Sequence, residues 1–204
     1  MEAYQRGKRQ GEREQNLKGS HTEKNLLAAF AGESQARTRY TFFASTAKKE
    51  GYEQIAGLFQ ETADNEKEHA ELFFQHLMGG IVELQAAYPA GVIGTTEENL
   101  REAAAGEKLE WGTLYPDFAK VAEEEGFTAV ARTFRGIARV EQSHERRFRK
   151  LLANLEQGRT FKRDTAIHWK CRNCGFVYEG REAPTTCPVC AHAQSYFEVW
   201  CENY

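Results

Sequence analysis

Glu66-Lys67-Glu68-His69 and Glu141-Gln142-Ser143-His144 are the stretches whose reading decides the fold. In each, a Glu and a His stand three residues apart, so on a helix both side chains leave from one face. Each pair follows a lone glutamate in a matching context: Ala31-Gly32-Glu33 in the first half, Ala105-Gly106-Glu107 in the second. One Glu from each of two helices, plus one Glu-x-x-His from each of two more, is the ligand set of a carboxylate-bridged dimetal site in a four-helix bundle.

A Glu-x-x-His pair alone is a weak signal in a chain this rich in Glu. The duplication around the pairs gives it weight. Lys48-Lys49-Glu50-Gly51-Tyr52 is echoed by Glu123-Glu124-Glu125-Gly126-Phe127. Ile55-Ala56, Phe59, Ala63, Phe73 and Leu77 are echoed by Val130-Ala131, Phe134, Ala138, Phe148 and Leu152. Without metal, Glu33, Glu66, Glu107 and Glu141 in an apolar bundle would repel one another and rise in pKa. Two cations reverse that, so metal binding should be linked to folding and to pH. Carboxylates bridge two metals where imidazole cannot, which suits Glu66 and Glu141 as bridges with His69 and His144 as terminal ligands. Ligation rich in oxygen, with one nitrogen per metal, favours Fe or Mn over Zn. Glu110, one turn beyond Glu107, has Ala36 as its counterpart, and reads either as a fifth carboxylate near one metal or as a solvated side chain.

Ser20-His21-Thr22-Glu23 has capping-box spacing and predicts a helix from there to Gly51, with Glu33 and Tyr40 on its apolar face. A second helix is expected from about Glu53 to Met78, and residues 81 to 94 suit the long crossover of a ferritin-like bundle. Thr95-Thr96-Glu97-Glu98 predicts the start of a third helix carrying Leu100, Glu107, Glu110 and Phe118, and a fourth should run from about Thr128 to Gln157. The offset between the halves is 74 residues at Glu33 and Glu107 but 75 from Gly51 and Gly126 onward. One residue has been added to the third helix, and Pro116 lacks an N–H there. A π-bulge or kink is therefore expected between about Glu110 and Lys120.

Cys171-Arg172-Asn173-Cys174-Gly175 and Cys187-Pro188-Val189-Cys190-Ala191 are two metal knuckles. Strand-like pieces at His168-Trp169-Lys170, Phe176-Val177-Tyr178 and Tyr196 to Trp200 surround them. Four thiolates make a tetrahedral site for Zn or Fe, and Cys201 reads as a spare thiol. The expected organisation is a polar N-terminal extension (1–16), a four-helix bundle (17–158), a polar, basic linker (159–167) and a small β-rich metal domain (168–204). A net charge of −3 suggests no nucleic-acid partner. No apolar run approaches a membrane span, and no secretory signal is visible, so a cytoplasmic protein is expected.

On Gly32-Glu33-Ser34-Gln35-Ala36-Arg37, Glu66-x-x-His69, Gly106-Glu107-x-x-Glu110, Glu141-x-x-His144 and the four cysteines, the chain resembles the rubrerythrins over residues 17–204. The resemblance implies a mainly α protein, a ferritin-like four-helix bundle with a long crossover followed by a small β-rich rubredoxin-like domain. It implies two irons on Glu33, Glu66, His69, Glu107, Glu110, Glu141 and His144, and one on Cys171, Cys174, Cys187 and Cys190, where Zn can substitute. It further implies that Glu110 and His69 exchange at one iron with redox state, and that Tyr40 and Tyr115 match tyrosines beside the site. The implied activity is reduction of hydrogen peroxide to water, protecting against oxidative stress, in homodimers whose Fe(Cys)4 centre takes electrons from a reductase or rubredoxin. His144 to Gly158 spans about 21 Å of helix, so a head-to-tail dimer with transfer between chains is expected. Two rival readings are a ferroxidase or iron store, which needs no electron inlet, and a non-enzymatic zinc-ribbon module on a helical scaffold.

Overall fold

Each half of the helical part turns on the same short signal. Helix α1 (His21–Lys49) gives way to α2 (Glu53–His76), and α4 (Tyr115–Glu124) to α5 (Thr128–Glu156). Between them Gly51 and Gly126 take φ of +84° and +83°, left-handed backbone that glycine adopts without a Cβ clash. The next amides fold back to close each helix: Tyr52 N–H donates to the Ala47 carbonyl at 2.8 Å and Phe127 N–H to that of Ala122 at 2.7 Å. The acid before each glycine serves the other half. Glu125 accepts from the His21 and Thr22 amides at 3.0 and 2.8 Å, and Glu50 from the Thr96 amide at 3.0 Å. A carboxylate there satisfies free N–H groups and complements the positive end of the helix dipole.

The computed structural model describes residues 16–202; the N-terminal extension read from the sequence lies outside them, Asn16 excepted. The third helical segment is α3 (Thr96–Leu109), a π-turn over Glu110–Leu114, and then α4. Helix α1 packs along α2, and α3 and α4 pack along α5, so one chain supplies all four helical segments of the bundle. Between the pairs runs a crossover without regular structure from Leu77 to Thr95. It is largely exposed, and Tyr88 ties it to α1 by donating to the Ala28 carbonyl at 3.0 Å. No helix among the described residues is long and apolar enough to cross a membrane.

The core of the bundle falls into two apolar clusters. One holds Tyr40, Phe43, Phe59, Leu100 and Phe148; the other holds Leu26, Phe73, Tyr115, Phe134 and Ile137. A third lies in the sheet domain around Trp169 and Phe197. On α2 the order is Phe59, Glu66, Phe73, and on α5 it is Phe134, Glu141, Phe148. A buried carboxylate layer therefore lies between two aromatic layers.

Several expectations hold and some shift. Ser20 caps α1 by accepting from the Glu23 amide, but the Glu23 carboxylate reaches Gly19 N–H rather than Ser20. Thr95 and Glu98 form a complete capping box at α3. Helix α2 stops at His76 instead of Met78, because Leu77 is already extended. The expected bulge is the π-turn, and Pro116, which has no N–H to give, follows directly after it in the first turn of α4. The stretch read as linker is a correction: strand β1 begins at Lys162 and runs to Cys171. Its early residues pair with β2 (Val177–Glu182) in an irregular register, Lys162 opposite Glu182 and Ile167 opposite Gly180. Those residues are mostly exposed on both faces, so no apolar alternation marks them as strand. Strand β3 (Phe197–Val199) completes a sheet of order β2-β1-β3.

This small sheet domain rests on the α1–α2 end of the bundle. Phe161 stacks on Tyr52 with ring centres 6.2 Å apart, and the Arg172 guanidinium lies over Gly57, where a Cβ would meet it at 2.5 Å.

Phe59 is fully buried, with the rings of Phe148, Phe43 and Tyr40 centred 5.1, 5.6 and 6.0 Å away. Phe59→Ala should cost about 3–5 kcal/mol of stability. Phe42→Ala, on a side chain 46% exposed, should change it by less than about 0.5 kcal/mol. Urea denaturation of the two variants checks the contrast.

Candidate metal centres

The four glutamates and two histidines read from the sequence converge within the carboxylate layer, all buried. His69 Nδ1 lies 2.8 Å from Glu66 Oε2 and 2.8 Å from Glu141 Oε1, with Glu33 Oε2 at 3.9 Å. His144 Nδ1 faces the opposite oxygens: Glu141 Oε2 at 2.8 Å, Glu66 Oε1 at 3.3 Å and Glu107 Oε2 at 3.6 Å. Glu66 and Glu141 thus turn one oxygen to each histidine, while Glu33 belongs to the His69 side and Glu107 to the His144 side. Two groups of four donors result, each with its ligand atoms within 4.8 Å of one another, and they share Glu66 and Glu141. That is the arrangement two bridging and two terminal carboxylates require.

The tyrosines cross between the halves. Tyr40 of α1 donates to Glu107 Oε1 at 2.6 Å, and Tyr115 of α4 donates to Glu33 Oε1. Helical phase explains the added residue. Glu33 and Tyr40 are seven apart, which at about 100° per residue puts them within roughly 20° of each other. Glu107 and Tyr115 are eight apart and would diverge by about 80° on a regular helix. The π-turn absorbs one residue and restores the alignment.

Electrostatics fit a cation site. Burial first, and then the neighbouring carboxylates, push Glu33, Glu107 and Glu110 well above the usual carboxylate range. Burial and the same carboxylates raise Tyr40 and Tyr115, which stay protonated as donors. Burial works against charge on the histidines, but Glu141 and Glu66 bring His69 up to about 9, and Glu107, Glu141 and Glu66 bring His144 up to about 12. Burial also raises Glu141, yet the His144 and His69 rings beside it, each 2.8 Å away, bring it down to about 2. Even so, Glu33 Oε2, Glu66 Oε1, Glu107 Oε2 and both Glu141 oxygens are buried without a hydrogen bond. Orphaned buried acceptors are expensive, and these converge on the two donor groups. The residues present fit two metal ions.

Glu110 is brought near, but not into, either group. It is half-buried in the π-turn, close enough for Glu107, Glu141 and Glu66 to raise it and for Arg39 to oppose them.

The second centre is in the sheet domain. Cys171 and Cys190 sulfurs are 3.7 Å apart, Cys174 and Cys187 sulfurs 3.6 Å, and all four fall within 4.8 Å of one another. These distances are far too long for disulfides and close to the edge of about 3.8 Å that a tetrahedron with metal–sulfur bonds of about 2.3 Å requires. The knuckles match atom for atom. Gly175 N–H donates to the Cys171 carbonyl and Ala191 N–H to that of Cys187, each at 2.9 Å. The His192 amide points at Cys190 and brings its thiol down to about 6. Ala191 carries φ of +59° where the first knuckle has Gly175. Cys201 is exposed and outside the cluster.

Sequence reasoning missed Trp111 and Glu145, which join the π-turn to α5. It also passed over what Glu50 and Glu125 do, although the repeat had marked both positions.

The family model "Rubrerythrin" matches residues 24–152, and "Rubrerythrin, rubredoxin-like domain" matches 169–198. A rubrerythrin of Porphyromonas gingivalis is 61% identical over 97% of this chain and 98% of its own length. One from Nitratidesulfovibrio vulgaris is 53% identical over 90% and 96%. Among solved structures, fully reduced, all-ferrous nigerythrin aligns over 90% of this chain and 91% of its own, with 30% identity and a TM-score of 0.59. With both metal centres and both domain models accounted for, the chain belongs to the rubrerythrin family and carries a rubredoxin-like C-terminal domain.

Proposed function

We propose that the chain is a peroxidase that reduces hydrogen peroxide to water at a non-haem di-iron site, with electrons entering through a Fe(Cys)4 centre. The observation that carries this reading is the pair of donor groups sharing Glu66 and Glu141, in one chain with a four-thiol cluster. Iron, when bound, supplies the electrons that break the O–O bond. Glu66 and Glu141 fix the spacing of the two metal positions. Glu33 with His69, and Glu107 with His144, complete them. Tyr40 and Tyr115 hold the terminal carboxylates in place through their O–H groups, and burial of the whole layer excludes bulk water. Glu110 and His69 are alternate donors to one position, and raised carboxyl groups such as Glu110 can carry the protons that the product waters need. An iron store would need no thiolate electron inlet, and a zinc ribbon would leave the carboxylate layer without purpose.

We further propose a head-to-tail homodimer in which each sheet domain serves the partner's bundle. Gly57, under Arg172, is nine residues from Glu66 on α2, about 14 Å along the axis, and electron tunnelling falls steeply with distance.

Three outcomes test this reading. Iron-replete protein should hold about three Fe per chain, one for each donor group, and turn over peroxide anaerobically with a reduced donor. Glu66→Ala removes a carboxylate common to both bundle groups and should leave about one; unchanged metal content on elemental analysis would sink the di-iron claim. Because His69 and His144 are raised to about 9 and about 12, both are protonated at pH 7 before metal enters. Metal ligation needs the neutral ring, so loading should release protons and tighten as pH rises toward 9. Calorimetry of Fe(II) binding in two buffers of different ionisation enthalpy reads this, and a heat independent of buffer would contradict it. Finally, a subunit disabled at Glu66 and His69, refolded with one disabled at Cys171 and Cys174, should recover part of the activity. Mixed dimers that form but stay inactive would place electron transfer within one chain.

A further inference from the structure

None of the five residues of the π-turn is fully buried, so core packing does not decide where the turn sits. An added residue can be absorbed at more than one point along a helix, and a π-turn persists where something specific holds it. Here side chains at the edge of the bundle do so. Trp111 Nε1 donates to Glu145 Oε2 of α5 at 2.7 Å, and Arg149 Nε donates to the other carboxylate oxygen at 2.5 Å. Lys108 Nζ lies 3.7 Å from the centre of the Trp111 ring, which ties the last turn of α3 to the bulge. Glu145 is only 9% exposed, so its hydrogen bond is charge-assisted and shielded from water.

The positions in sequence matter as much as the bond. Trp111 follows Glu110, and Glu145 follows the donor His144. We propose that Trp111 and Glu145 are positioning residues that lock the π-turn onto α5 and thereby set the reach of Glu110 toward the metal positions. If the bulge slides by one residue, side chains within it swing by about 100°, enough to carry Glu110 off the carboxylate layer. The half of the proposal that concerns Glu110 rests on its reading as an alternate donor with His69; the lock itself does not.

Trp111→Phe is the primary variant, since it keeps an aromatic ring near Lys108 while removing the indole N–H. Glu145→Leu removes the acceptor from the other side. In metal-free protein, amide hydrogen exchange at residues 111–115 should quicken about tenfold in each variant, while amides around Phe148 keep their rates. The double variant should exchange no faster than either single one, because both remove the same interaction. In iron-loaded, oxidised protein, the absorption of the bundle site should shift in Trp111→Phe toward that of Glu110→Ala. Unchanged exchange at 111–115 overturns the lock. Quickened exchange with the parental spectrum, while Glu110→Ala alters it, overturns the link from lock to Glu110. A parental spectrum in Glu110→Ala itself refutes the donor role of Glu110, and the exchange data then judge the lock alone.

Discussion

Four carboxylates held in a dry layer between aromatic layers are the constraint on which the rest of this protein depends. Such a layer is costly: desolvation and mutual repulsion oppose its charge, and several of its oxygens have no partner. The chain offsets part of this with two histidines pushed toward their charged forms and two tyrosines kept as donors. Cations supply what remains. Site and fold are therefore one thermodynamic object, and binding energy at the metals is stability of the bundle.

Duplication makes the layer possible and also shapes its one departure from symmetry. Glycine turns, end-capping acids, aromatic layers and crossed tyrosines all occur in both halves. The π-turn is the exception, and helical phase shows that it preserves symmetry in one respect, keeping Tyr115 aligned with Glu107 as Tyr40 is with Glu33. The same turn places Glu110, whose counterpart Ala36 carries no carboxylate, at the margin of the site.

Much of this was legible in the sequence because it depends on local spacing. Glu-x-x-His on one face, Ser20 and Thr95 as caps, and the change of offset from 74 to 75 residues are properties of single helices. The four cysteines announced their cluster by knuckle spacing alone. What stayed hidden depends on contacts between elements. The start of β1 shows no alternation because its residues are exposed on both faces. The Trp111–Glu145 bond joins residues 34 apart in sequence across a helix whose phase the bulge has reset. Glu50 and Glu125 were marked by the repeat, yet nothing local says that each reaches a helix of the other half.

The crossed tyrosines have a consequence for how the molecule comes into being. Tyr40 of the first helical hairpin grips Glu107 of the second, and Tyr115 of the second grips Glu33 of the first. Neither hairpin alone holds a complete donor group, because each group draws on both. A chain that has made only its first hairpin presents Glu33, Glu66 and His69 but lacks Glu141, which both groups share. The metal positions are thus features of the closed bundle alone, and the closing of one hairpin on the other is the step that creates them.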